Sequence, residues 1–299
     1  MKINSRIKYS GGNLRLYFIV TGILFLFTIV VIYPIIYVIS ASFSSGVAVS
    51  TGRVILWPVN FTFDGYRAVF GFPRVPLGFR NSIFYTVIGT AINVSMTLIA
   101  AYPLSRKNFQ GRKIYTTLFL ITMFFSGGLI PMYILITQLK WVNTIWAILI
   151  PSAISTYNML ITRTFFMSSI PNDLLEASQI DGCSDIRYFF MILLPLSKAI
   201  IAVITLYYGV GHWNSWFGAM IFLRNPDLQP LQLVLREILV MSNISLNEIS
   251  DAETLEFLLN FSELLKYSLI VISTLPVIIV YPFIQKYFIK GVMIGSLKG

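Results

Sequence analysis

The sequence predicts an all-α membrane protein with six transmembrane helices. Three observations carry that reading. Of the 299 residues 56% are hydrophobic and only 11% charged, against about 25% charged in a soluble domain. The charges cluster so as to leave six long charge-free stretches, and the basic residues gather on one set of alternating loops. A net charge of +10 would suit nucleic acid in a soluble chain, but this placement suits a membrane and membrane lipids and argues against nucleic acid. One cysteine, Cys183, and one histidine, His212, exclude a disulfide framework, a zinc cluster and any catalytic scheme needing a Cys/His or His/His pair.

The spans follow from the cost of charge. A charged side chain at the bilayer centre costs several kcal/mol, and a span needs about 20 apolar residues. Stretches without Asp, Glu, Lys or Arg run between Arg15 and Arg53, Arg80 and Arg106, Lys113 and Lys140, Lys140 and Arg163, Lys198 and Arg224, and Lys266 and Lys286. They predict helices over 17–40, 81–104, 114–138, 143–165, 196–222 and 264–288. The first stretch follows basic residues like a secretory leader, but it is too long and lacks a small-residue cleavage site, so it reads as a retained span.

Six spans put both termini on one side. Short cytoplasmic loops carry an excess of Lys and Arg, and 14 of the 22 basic residues lie on the terminal side, including Lys2, Arg6, Lys8 and Arg15, the Arg106 to Lys113 group, and Lys286, Lys290 and Lys298. The acidic run Glu248, Asp251, Glu253, Glu256 and Glu263 lies on the other. Both termini are therefore expected in the cytoplasm. The organisation is a cytoplasmic segment 1–16, a membrane domain 17–288 with a cytoplasmic loop 166–195 and external loops 41–80 and 223–263, and a cytoplasmic tail 289–299.

The loop between the fourth and fifth spans carries the most information. Pro171 suits a first helical turn, and Asp173 and Glu176 place negative charge near the positive end of the helix dipole. Gly182 suits the left-handed position that ends a helix, and Ser184 can cap the next one, which runs until Pro195 interrupts it. A helix–Gly–helix element too polar to span, flanked by spans on both sides, would lie along the cytoplasmic face as a docking element.

Glu176, Ala177, Ser178, Gly182, Ile192, Leu194 and Pro195 stand at the spacing Glu-Ala-Ala, three residues, Gly, nine residues, Ile, one residue, Leu-Pro. That spacing resembles the signature of permease subunits of ATP-binding-cassette (ABC) importers; only Ser178 departs, replacing Ala. Ser126 to Pro131, Pro230 to Arg236 and Gln285 to Gly299 extend the likeness to the carbohydrate branch, close to the maltose-type second permease and Gram-positive relatives for larger saccharides. The resemblance implies the type I importer permease fold and a bacterial plasma-membrane complex. Its partners would be a homologous second permease, two ATPase subunits that hold ATP and magnesium, and an extracytoplasmic sugar-binding (lipo)protein. In such a complex 171–182 is the coupling helix. Pro171, Asp173, Leu174, Glu176, Ala177, Ser178, Asp181, Gly182 and Pro195 would meet the ATPase, with Lys290, Gly291 and Lys298 as a second contact. The last external loop would reach the docked binding protein.

The residues agree that energy is borrowed: the sequence has no Gly-x-x-x-x-Gly-Lys-Ser/Thr loop to cradle phosphates, so the chain is expected to be non-catalytic, with no cofactor or metal of its own. Sugars are recognised by amides, hydroxyls and aromatic faces. Inside the spans these are Asn93, Ser155, Tyr157, Asn158, Tyr207, Tyr208, His212, Trp213 and Asn214, although buried amides also join helices and Trp also marks the membrane interface. Gly127, Gly128 and Pro131 are either packing features or a hinge. An ABC permease for another solute would share the loop. A secondary carrier is disfavoured because the six span cores hold no carboxylate.

Overall fold

The computed structural model describes residues 11–248 and 252–296, with side chains placed for 15–240 and 260–282. The described residues are helical, with no strand among them. They fall into two units, 11–71 with 239–272 and 72–238 with 273–296.

The first unit begins with α1 (Gly11–Ser42), a helix apolar all round. No residue of its most apolar window is buried within the chain, as for a helix solvated by lipid or by another subunit. Two short helices follow, α2 (Gly46–Ser50), capped by the Ser45 hydroxyl, and α3 (Asp64–Gly71). They pack on the early turns of the span Asn260–Pro282. A Cβ on Gly46 or Gly65 would collide with the Asn260 carbonyl or the Ser268 hydroxyl. Both positions therefore require glycine.

The second unit is built on α4 (Arg74–Ser105). It is long and apolar enough to cross a membrane by itself, as the sequence predicts. Around it lie α5 (Arg112–Phe124), α6 (Leu129–Gln138), α7 (Trp146–Leu149), α8 (Thr156–Ser169), α9 (Asn172–Ile180), α10 (Asp185–Tyr188), α11 (Leu194–Leu196), α12 (Lys198–Trp213) and α13 (Phe217–Phe222). The last two helices, α14 (Leu231–Glu248) and α15 (Ala252–Ser296), contribute to both units. The core joins Leu98 and Ala101 of α4 to Met159 and Phe166 of α8, to Tyr188 and Leu193, and to Ile204 of α12.

Among the described residues three helices are long and apolar enough to cross a membrane, and two bent pairs raise the number to five if each pair is one span. Of the six helices expected from charge-free runs, those over 17–40, 81–104 and 264–288 lie in the unbroken α1, α4 and α15, and the other three are interrupted. The run 114–138 breaks into α5 and α6, bent by 115°, where Gly128 takes φ +85°. The run 143–165 breaks between α7 and α8 around Pro151, and α8 at 14 residues is about 21 Å long. The run 196–222 breaks between α12 and α13. On the other side of the account, most of the expected loop 223–263 is helical, because α14 and the start of α15 occupy it. Freedom from charge marks what a membrane tolerates; it does not mark where a helix stops.

Candidate functional site

The loop 171–195 folds from local signals. Pro171 precedes α9 with ψ 139°, and Asp173 occupies the first turn. At the other end Gly182 takes φ +72°. Its N–H donates to the Gln179 carbonyl at 3.0 Å, and the Cys183 N–H donates to the Ser178 carbonyl at 2.9 Å. These two bonds are the paired 5→2 and 6→1 closure of a glycine-terminated helix. Ser184 then accepts from the Arg187 N–H at 3.4 Å and starts α10. The chain continues through a π-helical turn, Phe189–Leu193, to α11, which contains Pro195, and it turns by 81° into α12.

Ser178 is the one buried residue of α9. Its hydroxyl donates to the Leu175 carbonyl at 2.7 Å, so serine fits a small buried position with its polar atom satisfied. Pro171, Asp173, Leu174, Glu176, Ala177, Asp181, Gly182 and Pro195 are all exposed. Leu174 is 41% exposed and Ile180 87%. The outer face of α9 thus presents acidic and apolar side chains together.

Beneath this face lies a residue that the sequence reading counted only as a cytoplasmic charge. Arg106, just past α4, stacks its guanidinium over the rings of Tyr102 at 4.9 Å and Tyr188 at 5.5 Å. Tyr188 is fully buried. The Nε and Nη2 atoms of Arg106 and the hydroxyls of both tyrosines have no hydrogen-bond partner among the described residues. A cavity of about 360 Å³ beside them is lined by Arg106, Lys107, Glu176 and Asp185 among others. No sequence signal marked Arg106, since Tyr102 lies one turn before it but Tyr188 comes from a distant segment. Nearby, the Arg163 Nε donates to the Leu104 carbonyl at 2.9 Å, tying α8 to α4.

Four of the polar residues expected along the pathway, Asn93, Ser155, Tyr208 and His212, gather into one seam between α4, the start of α8 and α12. The Asn93 Oδ1 meets the His212 Nε2 at 3.0 Å, and the Asn93 amide donates to the Ser152 carbonyl. Tyr208 Oη accepts from the Ser155 N–H at 2.9 Å and pairs with Thr97 Oγ1 at 2.7 Å. The Trp213 indole donates to the Ser273 carbonyl at 2.8 Å. Asn158 is buried, while Tyr157, Tyr207 and Asn214 are exposed. Gly127 and Gly128 lie in the break before α6, and Pro131 is its third residue. Lys290 and Gly291 fall in the last turns of α15, whose side chains lie outside the described residues, as does all of Lys298.

Residues 93–294 match the model of the binding-protein-dependent transport system inner membrane components. That match covers more than half of the chain and includes both the polar seam and the loop. The chain belongs to this family. It is an ABC transporter permease, a multi-pass membrane protein and not an enzyme, as its relatives are. Protein LplC of Bacillus subtilis strain 168 is 39% identical over 284 residues, covering 94% of this chain and 95% of LplC. The polygalacturonan/rhamnogalacturonan transport system permease protein YtcP of the same strain is 38% identical over 281 residues, 94% and 97% of the two chains. Among solved structures, a chain of a bacterial ABC transporter involved in the import of the acidic polysaccharide alginate superposes with a TM-score of 0.83. It is 35% identical, with 94% of this chain and 99% of that one covered. The permease therefore has the type I importer fold.

Proposed function

We propose that this permease forms half of the translocation pathway of a bacterial ABC importer for an oligosaccharide, paired with a homologous second permease. Of the two ATPase subunits, which hold ATP and magnesium, one docks on its loop, and an extracytoplasmic sugar-binding (lipo)protein delivers the substrate. The observation that carries the reading is the exposed face of α9, held between Pro171 and the Gly182 turn with Glu176 at its centre. Glu176 pairs there with a basic residue of the ATPase, and the tail at Lys290, Gly291 and Lys298 makes a second contact. ATP closes the ATPase dimer, α9 moves with it, and the spans pass from inward-facing to outward-facing. A ligand shifts such an equilibrium only by its differential affinity for the two states, so the loaded binding protein must prefer one of them.

Six crossings with both termini in the cytoplasm fit this role if α5 with α6, α7 with α8, and α12 with α13 each make one broken span. The break at Gly127 and Gly128, with Pro131 beyond it, then serves as a hinge. The exposed Tyr157 and Asn214 face the substrate directly; Asn93, Ser155, Asn158, Tyr208, His212 and Trp213 shape the pathway by holding the helices that line it. Two of the similar proteins act on acidic polysaccharides by name or title, which supports a uronate-containing oligosaccharide as the substrate class.

The test is purification of the tagged chain from its native membrane in mild detergent, with mass spectrometry of what accompanies it. A second permease, an ATPase and a solute-binding protein are expected, and the binding protein should take acidic in preference to neutral oligosaccharides. Recovery of the chain alone, transporting in vesicles without ATP, would replace this reading with a secondary carrier.

A further inference from the structure

The segment between α1 and α3 carries an exposed apolar surface. From Val54 to Phe63 ten residues pass without Asp, Glu, Lys or Arg. Trp57 is 81% exposed, Ile55 62%, Phe61 61%, Phe63 51% and, in α3, Phe70 59%. Large apolar side chains at this density are rare on a segment bathed in water.

The patch is also ordered. Phe43 stacks on Phe61 at 5.5 Å with the planes 7° apart, and Phe61 meets Phe63 edge-on at 5.1 Å. The Thr62 N–H donates to the Phe43 carbonyl at 2.9 Å, and the Ser45 N–H to the Val59 carbonyl at 3.2 Å.

Contacts within the same unit fix its depth. Ser42 ends the apolar span of α1, and in α15 the last charge-free run begins after Lys266. The Ser50 hydroxyl donates to Asn260 Oδ1 at 2.6 Å, and the Ser268 hydroxyl donates to the Ser42 carbonyl at 3.4 Å. Gly65 rests against Leu264 and Ser268, on either side of Lys266, the last charge before the apolar run of that helix. Residues 43–71 therefore sit where a span passes from water into hydrocarbon, just past the end of α1.

We propose that residues 54–70 are an interfacial anchor, with Trp57, Phe61, Phe63 and Phe70 seated in the lipid headgroup and upper acyl region at the C-terminal end of α1. Trp is enriched at this depth because its ring is apolar and its N–H seeks a polar partner. The flanking charges agree: Arg53 and the exposed Asp64–Arg67 pair, 3.5 Å apart, bracket the run where headgroups and water begin. The proposal depends on membrane insertion of the chain and not on what the importer carries.

The test uses the full-length chain, with the subunits that accompany it, in phosphatidylcholine bilayers brominated either near the headgroup or near the bilayer centre. Wild type is compared with Trp57→Phe, so that the difference isolates Trp57 from the other four tryptophans. The difference emission should be lost most in the shallow-brominated lipid, less in the deep one and hardly at all with aqueous iodide. Phe70→Trp in the Trp57→Phe background gives a second reporter on the same face and should behave alike. Quenching by iodide above that by either lipid would make the segment an aqueous loop and overturn the proposal. Protection from all three quenchers would mean that protein covers the patch, and would overturn it equally.

Discussion

Gly182 offers the sharpest perturbation because its cost separates cleanly into parts. It takes φ +72°, and a Cβ built there meets no atom within 4 Å. Crowding is therefore absent, and any penalty comes from the backbone itself. A left-handed residue with a side chain costs roughly 1–2 kcal/mol, a β-branched one more because its rotamers are already restricted, and Asn least, being the common substitute for Gly at this position. At about 1.4 kcal/mol per factor of ten, Gly182→Ala should lower the population of the closed turn by roughly one order of magnitude, Gly182→Val by more and Gly182→Asn by less. Opening the turn releases the Gly182 and Cys183 N–H bonds that end α9, and α9 buries only Ser178, so the rest of the fold has little to lose. The assay is ATP-driven uptake in proteoliposomes beside binding-protein-stimulated ATP hydrolysis, with the amount of membrane-inserted chain measured in parallel. Activity should fall in the order Asn, Ala, Val at constant insertion. Normal uptake by Gly182→Val, or equal loss in all three, would refute the reasoning.

Three further substitutions probe the parts around the loop. In Gly89→Ala the new Cβ would lie 2.5 Å from the His212 ring; such overpacking costs about 1–3 kcal/mol and should lower the thermal midpoint of the purified complex, an unchanged midpoint counting against the close packing of α4 on α12. Tyr208→Phe leaves the Ser155 N–H and the Thr97 hydroxyl without their partner, a loss of about 1–3 kcal/mol that should appear in the same melt with saccharide affinity unchanged. The opposite pattern would put Tyr208 at the substrate. Arg106→Lys keeps the charge but loses the planar face over Tyr102 and Tyr188, worth about 0.5–2 kcal/mol; the ATPase should still bind while its stimulation falls, and wild-type stimulation in Lys with failure in Gln would reduce Arg106 to a charge.

What the sequence made legible is what local chemistry decides. The ends of α9, the turn at Gly182 and the cap at Ser184 each depend on a few neighbouring residues, and each stands where the residue types put it. The span of α4 was legible because no charge lies between Arg80 and Arg106 and no proline between Pro76 and Pro103. The breaks were not legible. Gly127 and Gly128 permit a bend, but its 115° depends on packing, and a charge-free window does not register Pro151. The acidic residues before Lys266 read as a solvated loop, yet Leu and Glu are strong helix formers, and α15 begins at Ala252. Nor could periodicity pair Asn93 with His212, 119 positions away, or set Arg106 under Tyr188.

That last placement bears on how a force at the loop reaches the membrane. A nine-residue helix with one buried side chain cannot hold its own position by packing, so a push on α9 passes to its attachments. Those are the buried Ile170 before it and, beyond the Gly182 turn, the fully buried Tyr188. Tyr188 leans on Arg106 and through it on the end of α4, where Leu104 also binds Arg163 of α8. Further along α4, Thr97 and Asn93 are tied to Tyr208 and His212 of α12. Buried polar pairs are stiff because a parted donor or acceptor in hydrocarbon finds no water. In the proposed cycle α4, α8 and α12 therefore travel together with α9, and the bends before α6 and before α12 are where the motion is absorbed. The expected consequence is that Asn93→Ala and Arg106→Lys, at opposite ends of this chain of contacts, both uncouple ATP hydrolysis from uptake, and that the double variant is no worse than the more damaging single one. Additive losses would mean that the two contacts act separately and that the block does not move as one.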